Sequence, residues 1–312
     1  MRTRQFGPVP TAAATTAAAI LAALAVLLTG CGSSSGAAAP ASAAPYAALA
    51  ASPGCAQLRT EHPDLVGKKL TNAINPHTPG YESISVTDPT RYEGFDIDLG
   101  EAIGGCLGFT VGYLPVSFET LLPTLQSGQA NFVISDIYAT RERAASADFL
   151  TYSKVFDGVL VAKGNPKHLT GIDDSLCGTT TALNKGFVEV PLVAAQSAKC
   201  TAEGHPAAQS SLFDNNSDCV QAILSGRADS YINDVNTVNR FVKDQPDKLD
   251  RATAVTLPYS IGIAVPKGDT AVRAAFTGAL TQVQQSGLQA TLSKKWQLDE
   301  SAIESPSLVT AS

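Results

Sequence analysis

Two stretches of the chain carry one pattern: "LQSGQANFVISD" at residues 125–136 and "ILSGRADSYIND" at residues 223–234. Ser127, Gly128, Ala130, Ile134 and Asp136 of the first match Ser225, Gly226, Ala228, Ile232 and Asp234 of the second. Each reads as a helix end, a Ser-Gly turn and a short apolar strand closed by an aspartate. "NFVIS" (131–135) is apolar without alternation, as a strand buried on both faces must be. Strand and helix signals alternate around both copies, and that order points to an α/β fold with a mostly parallel sheet under helices.

The remaining elements fit this frame. "KLTNAIN" (69–75) reads as a strand entering the loop "PHTPGYE", and "FTVGYLPV" (109–116) as a second strand. "GFDIDLGEAIGGCLG" (94–108) reads as a helix with Asp96 and Asp98 as candidate N-caps. Ser117 opens a helix that buries Leu121, Leu122 and Leu125, and Thr140 caps another with Arg143 in its first turn. "CGTTTALNKGFVEVPL" (177–192) is strand, Lys-Gly turn and helix. After the strand "YSIGIAVPKGD" (259–269), Asp269 caps an amphipathic helix, and "LQATLSKKW" (288–296) closes the ordered chain.

The N-terminus fixes the expected compartment. Arg2 and Arg4 precede the apolar run "AAAILAALAVLLTGC", which reads as a secretory signal peptide, with a single membrane anchor as the alternative. Leu28-Thr29-Gly30-Cys31 resembles the lipobox of bacterial lipoproteins, which implies acylation of Cys31 and a lipid anchor on the outer face of the cell membrane or in the periplasm. Residues 32–54 are Ala/Ser/Pro/Gly-rich with no apolar face, so 1–30 is expected as signal peptide and 31–65 as tether.

Six cysteines in an exported chain favour disulfides. With Cys31 given to lipid, Cys177 and Cys200 bracket one segment and are paired, Cys55 with Cys106 is the second pairing considered, and Cys219 reads as a small buried hydrophobe. No cysteine or histidine has a metal-ligand spacing, so neither metal nor cofactor is expected. The formal charge of −6 and the lack of a Lys/Arg cluster argue against a nucleic-acid partner.

Four stretches in order, "GFDIDLGEAI", "VSFETLLPTLQSGQANFVISDIYATRERAASADF", "LSGRADSYIND" and "GIAVPKGDTAVRAAFTGALTQVQQSGLQATLSKKW", resemble the type II periplasmic binding proteins that feed polar amino-acid ABC transporters, the solute-binding protein family 3. The resemblance implies a two-lobed clamshell, each lobe a mixed, mostly parallel sheet flanked by helices, joined by two crossing hinge strands near 153–158 and 255–261. Lobe 1 is then 66–155 with 258–300, lobe 2 is 156–257, and 301–312 is a loose tail. It also implies a monomer that delivers a small-molecule ligand to permease and ATPase subunits and catalyses nothing.

The same resemblance assigns a site. Arg143 of "TRER" matches the arginine that binds the ligand carboxylate through a planar fork, and Asp234 the residue that receives its ammonium. Phe118 and Tyr81 match pocket aromatics, although core packing accounts for either equally well. Three departures bear on the ligand. Thr78 stands where an aromatic is usual; Phe187 and Val188 replace the hydroxyl pair that meets the carboxylate; Asp136 and Tyr138 replace a small residue and a Ser/Thr. Two carboxylates against one arginine point to a basic amino acid or a derivative of one, unless Asp136 turns away to cap the next helix.

Other functions stay open on sequence. A lipoprotein of this form could sense a ligand for a separate receptor, or take a compatible solute or opine. A dehydratase of prephenate-like acids shares the fold, but His62, His77, His168 and His205 are scattered and form no nucleophile-base constellation.

Overall fold

A computed structural model describes residues 44–311. Two long antiparallel strands, Ala147–Ala162 and Leu249–Pro266, run through the centre of a nine-stranded sheet. On one side the order outward is Phe132–Val133, Lys69–Ile74 and Thr110–Pro115; on the other it is Ser230–Asp234, Thr180–Asn184 and Gln209–Phe213. Outside the central pair and its flanking contacts these strands are parallel, and helices cover the sheet. The central register breaks between Thr256 and Ser260, where Pro258 has no N–H to give the ladder.

Each half owns its core. Phe95, Leu99, Ile103, Phe109, Phe132 and Phe276 pack the first, with Phe109 stacked on Phe276 at 5.9 Å. In the second, Leu160 joins Val220, Tyr231 and Val238, whereas its neighbours Val159 and Val161 join Leu183, Val193 and Ile232. Successive side chains of one strand thus feed opposite cores, which is why the run is apolar without alternation.

The repeated motif is a repeated backbone. Helices Leu121–Gln126 and Asn216–Leu224 end in Gly128 and Gly226, at φ of 74° and 71°. Their N–H groups bond Leu125 O at 3.0 Å and Ile223 O at 2.9 Å. Glycine takes this left-handed turn without the Cβ clash that other residues meet.

Three expectations are corrected. The tether does not extend to residue 65, because Ala44–Ala50 and Pro53–Glu61 are helices whose Leu49 and Cys55 are buried in the first core. Ser52 accepts from the Cys55 N–H and Pro53 opens the second helix, so short capping signals outweigh the bland composition. The tail is not loose: Leu308–Val309 pairs with Leu150 and Phe149, and Ser307 O accepts from Thr151 N at 2.9 Å, covering the open edge of a central strand. Gly94, not an aspartate, is the N-cap of Phe95–Leu107; Asp98 instead accepts from Lys295 Nζ and Trp296 Nε1, both at 2.6 Å. Both disulfides form as paired, Cys55–Cys106 and Cys177–Cys200, and Cys219 is free and buried. Residues 1–43, including Cys31, lie outside the described residues.

Candidate functional site

The first motif copy delivers Asp136 through an interrupted strand. Ladder pairing stops at Val133, and the Asn72 side chain takes over, accepting from Ile134 N at 2.8 Å and donating to Ile134 O at 3.1 Å. The chain then turns at Asp136 with φ of 43°, a left-handed conformation that favours glycine. The Asp136 N–H donates to Asp96 Oδ2 at 2.6 Å, while its own carboxyl, 2% exposed, receives no hydrogen bond.

The second copy delivers Asp234, which caps helix Val235–Asp244 by accepting from the N–H groups of Asn236 at 2.8 Å and Thr237 at 3.2 Å. Its register partner on the central strand is Asp157. Directly opposed residues on antiparallel strands project from the same face, so two carboxyls meet where like charges repel. Asp157 accepts from the Tyr138 hydroxyl at 2.9 Å. Beside it stands Glu189, in the first turn of helix Glu189–Ala202, near enough for its carboxyl to act on that of Asp157.

Asp136, Asp157, Asp234 and Glu189 are all buried, and both oxygens of Glu189 and one of Asp157 lack a well-formed hydrogen bond. Burial, then repulsion from neighbouring carboxylates, raises the pKa of the first two. Asp136 is pushed well up by burial and the Asp234 charge, and Asp157 well up by burial and the Glu189 charge. Burial also raises Glu189, and lifts Asp234 to about 7 despite its capping bonds. A second carboxyl pair lies beneath. Glu82 accepts from Ser135 Oγ at 2.9 Å, and Asp96 accepts from Tyr152 OH at 2.8 Å; burial pushes Glu82 well up and Asp96 to about 6. Such pairs persist only with a shared proton or an intervening cation. Asp148 shows the contrast: it too has little exposed surface but is ion-paired with Lys267 at 3.1 Å and Arg273 at 2.7 Å, and its pKa is lowered.

The cation facing the cluster is Arg143, whose strongest electrostatic partner is Glu189. Its Thr140 cap forms as expected, Thr140 Oγ1 accepting from Arg143 N at 3.1 Å, but on a single 3₁₀ turn, Arg143–Ala145. Its guanidinium donates to Tyr138 O and Gly186 O, each at 2.9 Å, and lies 5.3 Å over the Phe118 ring. Phe118 packs on Phe187 with centroids 4.2 Å apart. At Gly186, φ of 77°, an added Cβ would meet Glu119 backbone at 3.2 Å, so glycine permits this approach of the two halves. At the far end of the cleft, Asn236 Nδ2 donates to the Tyr81 hydroxyl at 3.2 Å and Arg240 donates to Trp296 O at 2.7 Å.

The structure thus brings Asp136, Asp234, Tyr138 and Tyr81 to one buried centre, with Arg143, Phe118 and Phe187 at its rim. Thr78 is buried in the short strand His77–Thr78, and His77 is exposed. Asp157, Glu189, Glu82 and Asp96 escape the sequence reading as site residues; the one signal for Asp157 is an acid inside the apolar run "VFDGVLV". A cleft of about 910 Å³ opens beside Arg143, lined by Phe187, Val188, Tyr259 and Val309 but by none of the four carboxyls. Among the described residues no His, Cys, Asp or Glu group is arranged to hold a metal ion, and no helix is long and apolar enough to cross a membrane.

Two α/β halves on shared central strands, closed over a buried polar centre, define a type II periplasmic-binding-protein clamshell. Residues 70–299 match the model of the bacterial extracellular solute-binding proteins, family 3, and the chain belongs to that family. It is 29% identical over 231 residues to a probable histidine-binding protein of Neisseria gonorrhoeae, covering 71% of this chain and 80% of that one. It is 25% identical over 222 residues to a putative ABC transporter arginine-binding protein 2 of Escherichia coli (strain K12), covering 70% and 86%. Among solved structures, an ancestral arginine-binding protein bound to arginine superposes with a TM-score of 0.67 at 26% identity, covering 73% of this chain and 97% of that one.

Proposed function

We propose that this protein is the capture subunit of an ABC importer, held outside the cell membrane by lipid on Cys31, and that it takes up a cationic amino acid or a derivative of one. The observation that carries the reading is the buried set Asp136, Asp157, Asp234 and Glu189, faced among the described residues by one cation, Arg143. A cationic ligand entering between the halves would replace the protons these carboxyls otherwise hold, and closure would bury the resulting ion pairs in a dry site. The relatives named for histidine and arginine support the solute class.

Calorimetric titration with arginine, ornithine, glutamine and glutamate tests the reading. A basic ligand should bind tightest, and preference for glutamate would sink it. Loss of uptake of the same ligand on gene deletion tests the transport role against sensing for a separate receptor.

A further inference from the structure

We infer that Lys267 is a positioning residue of the solute site: it fixes the single turn that presents Arg143, and acts on the solute through that arginine. This deepens the capture reading above and rests on it, with Arg143 receiving the solute's carboxylate.

Arg143 stands on little backbone of its own. Its 3₁₀ turn, Arg143–Ala145, is three residues long, and one turn makes too few internal hydrogen bonds to hold its shape. Ties from other segments hold it instead. At its start, Thr140 Oγ1 accepts from Arg143 N at 3.1 Å. At its middle, the carbonyl of Ala144, a residue with no exposed surface, accepts from Lys267 Nζ at 2.7 Å. The guanidinium gives one hydrogen bond from Nη1 to Tyr138 O and one from Nη2 to Gly186 O, so donors of its planar fork remain for a carboxylate. A fork of fixed geometry meets a carboxylate well only while the turn beneath it stays in place.

Strand register explains why this lysine reaches that turn. Ala147 pairs with Pro266 and Asp148 with Val265, so the chain leaving one strand at Lys267 lies beside the turn that enters the other. Gly268, at φ of 76°, then reverses the chain, and its N–H donates to Asp148 Oδ2 at 3.1 Å. Asp148 Oδ1 lies 3.1 Å from Lys267 Nζ. The ammonium is therefore held between a carboxylate only 4% exposed and the carbonyl of a buried residue. An ion pair open to water on both sides would fix little, but here both acceptors are shielded. Arg273 takes the other oxygen of Asp148 at 2.7 Å, and that bond goes to the carboxylate and not to the turn. Two cations thus share one carboxylate, and Lys267 is the one that also grips the backbone of Arg143.

Lys267→Met and Arg273→Met separate positioning from packing, since each takes one cation from Asp148 and only the first releases the turn. Calorimetry on the disulfide-intact protein measures arginine, ornithine, glutamine and glutamate, all of which carry the carboxylate that Arg143 would meet. For the tightest of the four, Lys267→Met should weaken binding at least about fivefold, the scale of one hydrogen bond. Arg273→Met should bind within about twofold of the wild type, with thermal midpoints establishing that both variants are folded. In an Arg143→Lys background, Lys267→Met should cost no more than about twofold, because the fork it positions is gone. Unchanged affinity in folded Lys267→Met, equal losses in Lys267→Met and Arg273→Met, or a loss that persists in full beside Arg143→Lys would each overturn the inference. Glutamate bound tightest by the wild type would sink the cationic-solute reading instead, and the same variants, titrated with glutamate, would still decide the role of Lys267.

Discussion

Asp157 and Asp234 face each other across neighbouring antiparallel strands, both buried, with no basic side chain among the described residues ion-paired to either. A sheet tolerates such a pair where a ligand later relieves it. Asp234 also caps a helix through Asn236 and Thr237. Asp234→Asn keeps an oxygen for the cap but removes the charge. Binding of a cationic ligand should weaken by about 2–5 kcal/mol, with the ligand-free thermal midpoint held or raised. Calorimetry and thermal unfolding read the two effects separately; a lowered midpoint with unchanged affinity would make Asp234 a capping residue only.

Asp136 combines a left-handed backbone with an unpaired buried carboxyl. Asp136→Gly relieves both, so the ligand-free protein should gain about 1–3 kcal/mol in urea unfolding while losing affinity for the cation. Stability gained without loss of affinity would show that Asp136 does not meet the ligand.

Raised carboxyl pKa values set a pH window. Asp96 at about 6 and Asp234 at about 7 hold their protons in the closed protein to a higher pH than in the unfolded chain. Their contribution to stability is therefore full below about pH 4 and is lost as pH rises through these values. The ligand-free midpoint should fall between about pH 4 and pH 7, while affinity for a cation rises over the same interval as protons are displaced. Titrations near pH 6 in buffers of different ionisation enthalpy should show proton release on binding; a heat independent of buffer would contradict it.

Cys55–Cys106 ties helix Pro53–Glu61 to helix Phe95–Leu107 across 51 residues. Replacing both cysteines by serine should cost about 2–4 kcal/mol in denaturant unfolding. Ligand affinity should stay within about twofold, because the bridge lies in the first core and the carboxyls lie at the interface.

The motif shared by residues 125–136 and 223–234 is written in local terms: a glycine at positive φ, a short apolar strand, a terminal aspartate. Local rules were enough to read it, and the alternation of elements around it was enough for the α/β class. The helices at 44–50 and 53–61 and the strand at 308–309 were not legible, since neither an alanine-rich segment nor a polar tail shows a periodic face. Their order comes from docking onto a core and a strand edge that exist only once the rest has folded.

The site divides the same way. Sequence by itself determined that Asp136 and Asp234 end equivalent units and that the arginines of "TRER", Arg141 and Arg143, follow the first. Only the tertiary structure decided that Asp157 stands opposite Asp234, that Glu189 joins them, and that Arg143 gives its hydrogen bonds to the two halves of the clamshell. Strand register and helix placement between residues far apart in the chain set those meetings, and electrostatics acts through space rather than along the chain.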